Sequence, residues 1–133
     1  MEITIIGTEP PCPRCQETYA RLKQVTQELD PKISVKKIVY SSPEAQSYGK
    51  VGNAHEIAGW AKVNVDWDKI REVASGGWTK ELDDLLMPLK EKSEQAGWLM
   101  TPVVAVGNQV VHCGCVPELN DLRRIFTRYK NKE

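Results

Sequence analysis

With 133 residues the chain is long enough for one hydrophobic core, so it is read as a single domain over residues 1–133. Lys plus Arg, 18, balance Asp plus Glu, 18, so no net field draws the protein to nucleic acid or to an anionic membrane. A content of 41% hydrophobic and 27% charged residues is that of a water-facing protein, and no apolar run approaches the ~18 residues of a transmembrane helix.

The first element is a strand over residues 2–6, rich in Ile and closed by Gly7 and the break at Pro10-Pro11. Residues 13–29 form a predicted helix, because Tyr19, Leu22, Val25 and Leu29 recur at steps of three and four. Asp30-Pro31 ends it, since proline cannot continue the hydrogen-bond ladder and restrains the residue before it. A second strand spans residues 33–39, which makes a β-α-β unit with parallel strands and a right-handed crossover.

Residues 41–100 are too many for a bare loop and read as a helical insertion. It holds a short helix from Ala54 to Lys62, a second capped by Asp66 and running to Ala74, and a third capped by Thr79 with a stripe of Leu82, Leu85, Leu86 and Leu89. Trp78 is placed to staple onto the first turn of that third helix, on Leu82 in preference to Asp83, and Pro88 to kink or split it. Lys90-Glu91-Lys92-Ser93-Glu94 reads as a solvated face. After the insertion come a strand at Val103–Val106, a turn at Gly107-Asn108, a returning strand from Gln109 to Cys113, and a helix from Pro117 to Tyr129.

The chemistry concentrates at Cys12-Pro13-Arg14-Cys15, where the first strand gives way to the first helix. Cys12 falls at the N-cap and Pro13 at the first helical position, where a missing N–H costs nothing. Open N–H groups and the helix dipole stabilise a thiolate there, so Cys12 is the expected nucleophile. Cys15, one turn on, is the expected resolving thiol that attacks a mixed disulfide and releases the substrate. Arg14 either adds positive charge beside the thiolate or is simply solvated. The competing reading of the pair is half of a zinc knuckle.

The N-terminus, Met1 to Gly7, has neither the basic region nor the apolar length of a signal peptide, so the expected compartment is the cytoplasm. In that reducing setting four cysteines are more readily catalytic or metal-binding than structural.

Ile3-Thr4-Ile5-Ile6-Gly7-Thr8 leading into Cys12-Pro13-Arg14-Cys15, together with Thr101-Pro102-Val103-Val104-Ala105-Val106-Gly107-Asn108-Gln109-Val110-Val111, resembles the thioredoxin superfamily, nearest to its small glutaredoxin-like and thioredoxin-like members. The likeness covers the two ends of the chain and not the middle. It implies an α/β, thioredoxin-like fold: βαβ plus ββα around a central mixed four-stranded sheet, with residues 41–100 inserted. It also implies that Cys12 attacks, that Cys15 resolves, that Pro102 is a cis-proline facing the pair, and that Thr101 offers backbone groups to an extended substrate. The chain departs from the family in having Pro11 before Cys12, Pro-Arg between the cysteines, and Ile6 where thioredoxins bury an aspartate. Proton transfer at Cys15 then needs water or another group. Glu9 is near in sequence but expected in solvent, and no glutathione-binding set is matched.

Cys113-Gly114-Cys115 is the second cysteine motif. The resembling fold returns its last strand toward the active-site end, which would bring Cys113 and Cys115 near Cys12. Three readings stand: a second dithiol exchanging electrons with the first, a zinc or iron–sulfur site on Cys12, Cys15, Cys113 and Cys115, or incidental thiols. His112 could join such a ligand set, although a lone strand histidine is more often a plain half-exposed side chain. The four tryptophans, Trp60, Trp67, Trp78 and Trp98, read as a satellite core, with Trp98 a candidate docking residue beside Pro102.

The expected function is cytoplasmic thiol–disulfide exchange through Cys12 and Cys15 without a cofactor, with Cys113 and Cys115 as a candidate relay. The expected partners are a protein thiol or disulfide and a reductase, with neither nucleic acid nor membrane involved. The rivals are a four-cysteine metal protein and a redox-inert interaction module built on the insertion.

Overall fold

A computed structural model describes residues 1–132. Strand β1 (Glu2–Gly7), helix α1 (Pro13–Leu29) and strand β2 (Ser34–Val39) come first. The middle of the chain holds α2 (Pro43–Gln46), β3 (Val51–Gly52), α3 (Ala54–Ala61), α4 (Trp67–Ala74), α5 (Lys80–Ala96) and β4 (Leu99–Met100). Strands β5 (Val103–Val106) and β6 (Gln109–Cys113) and helix α6 (Leu119–Lys130) follow. The fold is α/β, with a mixed four-stranded sheet in the order β2-β1-β5-β6. β1 runs parallel to β2 and antiparallel to β5, and β5 is antiparallel to β6.

β1 is central because every residue from Ile3 to Gly7 is buried. Its alternating side chains serve two cores, as the two-residue period of a strand requires. Ile3 and Ile5 pack with Leu22 and Val25 of α1 and Leu122 and Phe126 of α6. Ile6 joins Ala45, Val51 and Val103 in a different cluster. α1 covers its face with the predicted stripe and stops at Asp30, whose N–H still bonds Thr26 O at 2.9 Å before Pro31 interrupts.

The middle segment is not purely helical. Val51–Gly52 and Leu99–Met100 pair as a separate two-stranded parallel sheet. Each strand is two residues long, too short to leave a period-two signature in sequence. The helices start on local chemistry. Asn53 and Glu56 form a reciprocal capping box on α3, and Asp66 accepts from the Lys69 N–H at 3.1 Å on α4. Thr79 occupies the N-cap of α5 but makes no side-chain cap bond. Pro88 does not split α5: it is exposed, so the ladder bond it removes lies on the side where water can replace it. Ile57, Ala58, Leu82, Leu86, Leu89 and Met100 form the segment's own core, with all four tryptophans packed around it. No helix is long and apolar enough to cross a membrane.

This segment is fastened to α1 by a buried ion pair. Arg14 is only 4% exposed and donates from Nε to Asp83 Oδ1 of α5 at 2.9 Å. The other carboxylate oxygen of Asp83 accepts from Trp78 Nε1 at 2.9 Å and from the Val116 N–H at 3.0 Å. Trp78 therefore makes a polar contact to Asp83 as well as packing against the cluster that contains Leu82, the partner the sequence favours. An indole N–H near a buried carboxylate is better satisfied there than by a hydrocarbon. Replacing Asp83 by Ala strands the Arg14 cation and is expected to cost at least ~3 kcal/mol in urea unfolding of the reduced protein. Arg14→Met with Asp83→Leu removes both charges and should cost clearly less than Asp83→Ala alone. An equal or larger cost for the double variant contradicts the buried-charge account.

Candidate functional site

The turn after β1 sets the reactive pair in place. Cys12 takes an extended conformation (φ −73°, ψ 165°) as the N-cap of α1, and Pro13 opens the helix. Thr8 fixes the approach: its Oγ1 accepts from the Cys12 N–H at 2.9 Å and lies 3.0 Å from Pro10 O. The Cys15 N–H points at Cys12 Sγ over 3.4 Å, and the two sulfurs stand 3.3 Å apart as free thiols. Cys12 is half-buried, whereas Cys15 is 4% exposed. Gly7 makes room for this arrangement, because a Cβ there would come within 3.0 Å of Cys15 Sγ.

One contact drives the two thiols in opposite directions. The hydrogen bond from Cys15 is the largest influence lowering Cys12, to about 5, with the Cys15 N–H, the Arg14 charge and Thr8 assisting against burial. The same bond, together with burial and the Cys12 charge, pushes Cys15 far above an ordinary thiol, while Thr8 pulls it the other way. Cys12 is therefore a thiolate near neutral pH and Cys15 its protonated donor. Arg14 is not solvated, because its Asp83 partner holds it inside the fold. Glu9 is exposed, and Ile6 is fully buried in the cluster with Ala45, Val51 and Val103.

The second half of the chain closes over this turn. The Thr101–Pro102 peptide is cis, as is Glu9–Pro10. The Gly114 N–H bonds Pro102 O at 3.0 Å, and the Arg14 guanidinium donates to Gly114 O. So one of the two residues between Cys12 and Cys15, Arg14, touches the residue between Cys113 and Cys115. Gly114 has a positive φ of 89° and packs on the Lys90 stem, where a Cβ would approach Lys90 Cγ to 2.7 Å. Thr101 is buried, and its N–H is engaged by Gly52 O at 3.0 Å. Burial holds both Cys113 and Cys115 above the usual thiol range. His112 Nε2 sits 2.8 Å from Cys115 O and 3.5 Å from its sulfur, and burial lowers its basicity. Among the described residues, no group of three or more His, Cys, Asp or Glu is arranged to hold a metal ion.

Two clefts flank the pair. One, of about 180 Å³, reaches Cys15 past Gly7, Thr8 and Gln16, with Glu9 and Lys37 in its walls. The other, of about 200 Å³, opens at Cys12 and is walled by α3, α4 and α5. Trp67 lines this second cleft, and Trp98 does not. Trp98 instead meets Trp60 edge-on at 5.4 Å, with Lys50 over both rings. Thr8, Asp83 and Trp67 are the site residues that sequence reasoning missed. Thr8 stands four residues before Cys12 and was open to recognition as a small hydroxyl in the turn. Asp83, 69 residues from Arg14, carries no local signal.

Iodoacetamide labelling of Cys12 across pH is expected to show a midpoint near 5. The thiolate is present above that pH and lost below it. Cys15→Ala removes the strongest stabilising bond, so the midpoint should rise toward the ~8.5 of a free thiol. The midpoint is the proper readout, because a more acidic thiolate is also a weaker nucleophile and rates at one pH partly cancel.

No protein-family model, curated protein or solved structure matches the chain.

Proposed function

We propose that this protein is a thiol–disulfide oxidoreductase of thioredoxin-like architecture, acting through Cys12 and Cys15. The observation that carries the reading is the asymmetric pair itself: a half-buried acidic sulfur at a helix N-terminus, 3.3 Å from a buried protonated one. The sheet order β2-β1-β5-β6 and the cis Thr101–Pro102 peptide support the architectural part.

In this reading the Cys12 thiolate attacks one sulfur of a substrate disulfide. The substrate S–S bond breaks, one substrate thiolate leaves, and a mixed disulfide forms on Cys12. The largest restraint on Cys15, its hydrogen bond to the Cys12 thiolate, disappears at that moment, and so does the Cys12 charge. Burial remains, opposed by the hydrogen bonds of Thr8. Cys15 then loses its proton to water in the cleft beside Glu9 and Lys37 and attacks Cys12 Sγ. The Cys12–Cys15 disulfide forms and the second substrate thiolate leaves. The protein loses two electrons and the single Cys15 proton, and the two departing substrate thiolates take up two protons from solvent, one of them equivalent to that released by Cys15. No dedicated carboxylate on β1 is required, which suits Ile6 at the position where thioredoxins carry an aspartate.

Regeneration requires a thiol donor. That donor is an external dithiol reductant, which returns Cys12 and Cys15 to thiols and leaves as a disulfide, while Cys113 and Cys115 are a second couple exchanging electrons with the first, a pairing supported by the Gly114 bonds to Arg14 and Pro102. A disulfide across one intervening residue is strained and therefore comparatively oxidising, so in that exchange Cys113–Cys115 takes two electrons from the Cys12–Cys15 dithiol and does not supply them. Cysteine pairing in partly oxidised protein, mapped by mass spectrometry, should show Cys12–Cys15 and Cys113–Cys115 disulfides.

In a dithiol-coupled disulfide reductase assay, Cys12→Ser is expected to reduce activity to background. Cys15→Ser should instead accumulate a mixed disulfide on Cys12, visible as an added substrate mass. Undiminished turnover in Cys12→Ser protein would defeat the reading. So would stoichiometric zinc or iron bound through the four cysteines of anaerobically purified protein.

A further inference from the structure

The inserted helices do more than cover the sheet: they build one wall of the space in front of Cys12. The cleft that opens at Cys12 holds about 200 Å³, below the ~300 Å³ of a typical small-molecule site and near the size of one large side chain. Its wall is formed by Trp67, Ile70 and Ala74 of α4 with Leu82 and Leu86 of α5. Trp67 is fixed by stacking on His55 of α3, with ring centres 3.9 Å apart and planes 27° from parallel.

Most of the polar side chains at its edge have partners within the fold, and the others that line it are His55, stacked on Trp67, and Thr101. Thr8 serves Cys12 and Pro10. Arg14 is committed to Asp83 and Gly114 O. Asn53 caps α3 and donates to Tyr40 Oη at 3.1 Å. Arg71, at the rim, pairs with Asp68. No acidic side chain lines the cleft. What an occupant meets, once a sulfur is placed at Cys12, is therefore mainly apolar contact within one side chain's reach.

We infer that this cleft is a subsite for an apolar side chain flanking the reactive cysteine of a peptide or protein disulfide, with Trp67 as its specificity-determining wall. The inference rests on the proposed exchange at Cys12 and deepens it by naming the substrate class. A neutral apolar group gains from leaving water for this wall. A serine-sized neighbour leaves the cleft unfilled. A hydrophobic pocket discriminates on this basis by roughly tenfold or more.

The test uses the pre-reduced full chain and two homodisulfide peptides that differ only in the residue after cysteine, Phe or Ser. Release of peptide thiol is followed in a single turnover, so no reductase is needed: the protein supplies both electrons and ends as the Cys12–Cys15 disulfide. The Phe peptide is expected to react about tenfold faster than the Ser peptide. Ala74→Phe, which fills the cleft, and Trp67→Ala, which removes its wall, should each bring that ratio close to one. Two variants acting in opposite steric senses keep the ratio decisive if either fails to fold. A wild-type ratio near one, or a ratio that survives in both variants, overturns the subsite. Failure of both peptides to react, with Cys12 fully reduced, overturns the proposed exchange instead.

Discussion

The Arg14–Asp83 pair is the constraint on which the rest of the arrangement depends. Arg14 belongs to the first turn of α1, between the two cysteines, while Asp83 belongs to the first turn of α5. Burying either charge alone is expensive, whereas burying both with their remaining hydrogen bonds satisfied is tolerable. Further bonds support the pair: Asp83 also accepts from Trp78 and Val116, and Arg14 also donates to Gly114 O. The cysteine turn, the inserted helix, Trp78 and the loop after β6 are thus locked to one buried carboxylate. Such a network contributes mainly by penalising alternatives, since any shift of α5 would expose an unpaired charge to a low-dielectric interior.

A second dependence is electronic. Cys12 and Cys15 owe their opposite acidities chiefly to one shared hydrogen bond. A residue pair with that property responds to its own chemistry. When Cys12 loses its charge, the main reason for Cys15 to hold a proton goes with it. Thr8 is the fixed element in this exchange, because it bonds the Cys12 N–H and influences both sulfurs. In the proposed reaction the ordering of the two attacks follows from this coupling and needs no separate acid or base on β1.

The inserted segment links architecture to selectivity. It carries its own core, closed by four tryptophans, and its own two-stranded sheet. That independence lets it present a preformed wall beside Cys12, and the buried ion pair sets the wall's position relative to the sulfur. The tryptophans share one core but differ in outlook. Trp78 is tied to the buried carboxylate and lies under Arg21 at 4.8 Å, Trp60 and Trp98 form an edge-on pair, and Trp67 faces the cleft. One residue type in one segment therefore serves packing, anchoring and contact.

The amino-acid sequence alone determines what depends on neighbours a few residues apart. The Ile-rich strand, the N-cap at Cys12, proline at the first helical position, the stop at Asp30-Pro31 and the Gly107-Asn108 turn all follow from short-range sterics and hydrogen bonding. These place Cys12 and Cys15 on one helical turn, and with them the outline of the proposed chemistry. The tertiary structure decides what depends on distant partners. It buries Arg14, which sequence left free to be solvated, because Asp83 arrives from 69 residues away. It sets Trp67 rather than Trp98 on the cleft that opens at Cys12, because a hydrophobic stripe says that a helix packs but not which neighbour it meets. It also joins Val51–Gly52 to Leu99–Met100, strands too short to announce themselves and formed only because their backbone groups meet across the segment.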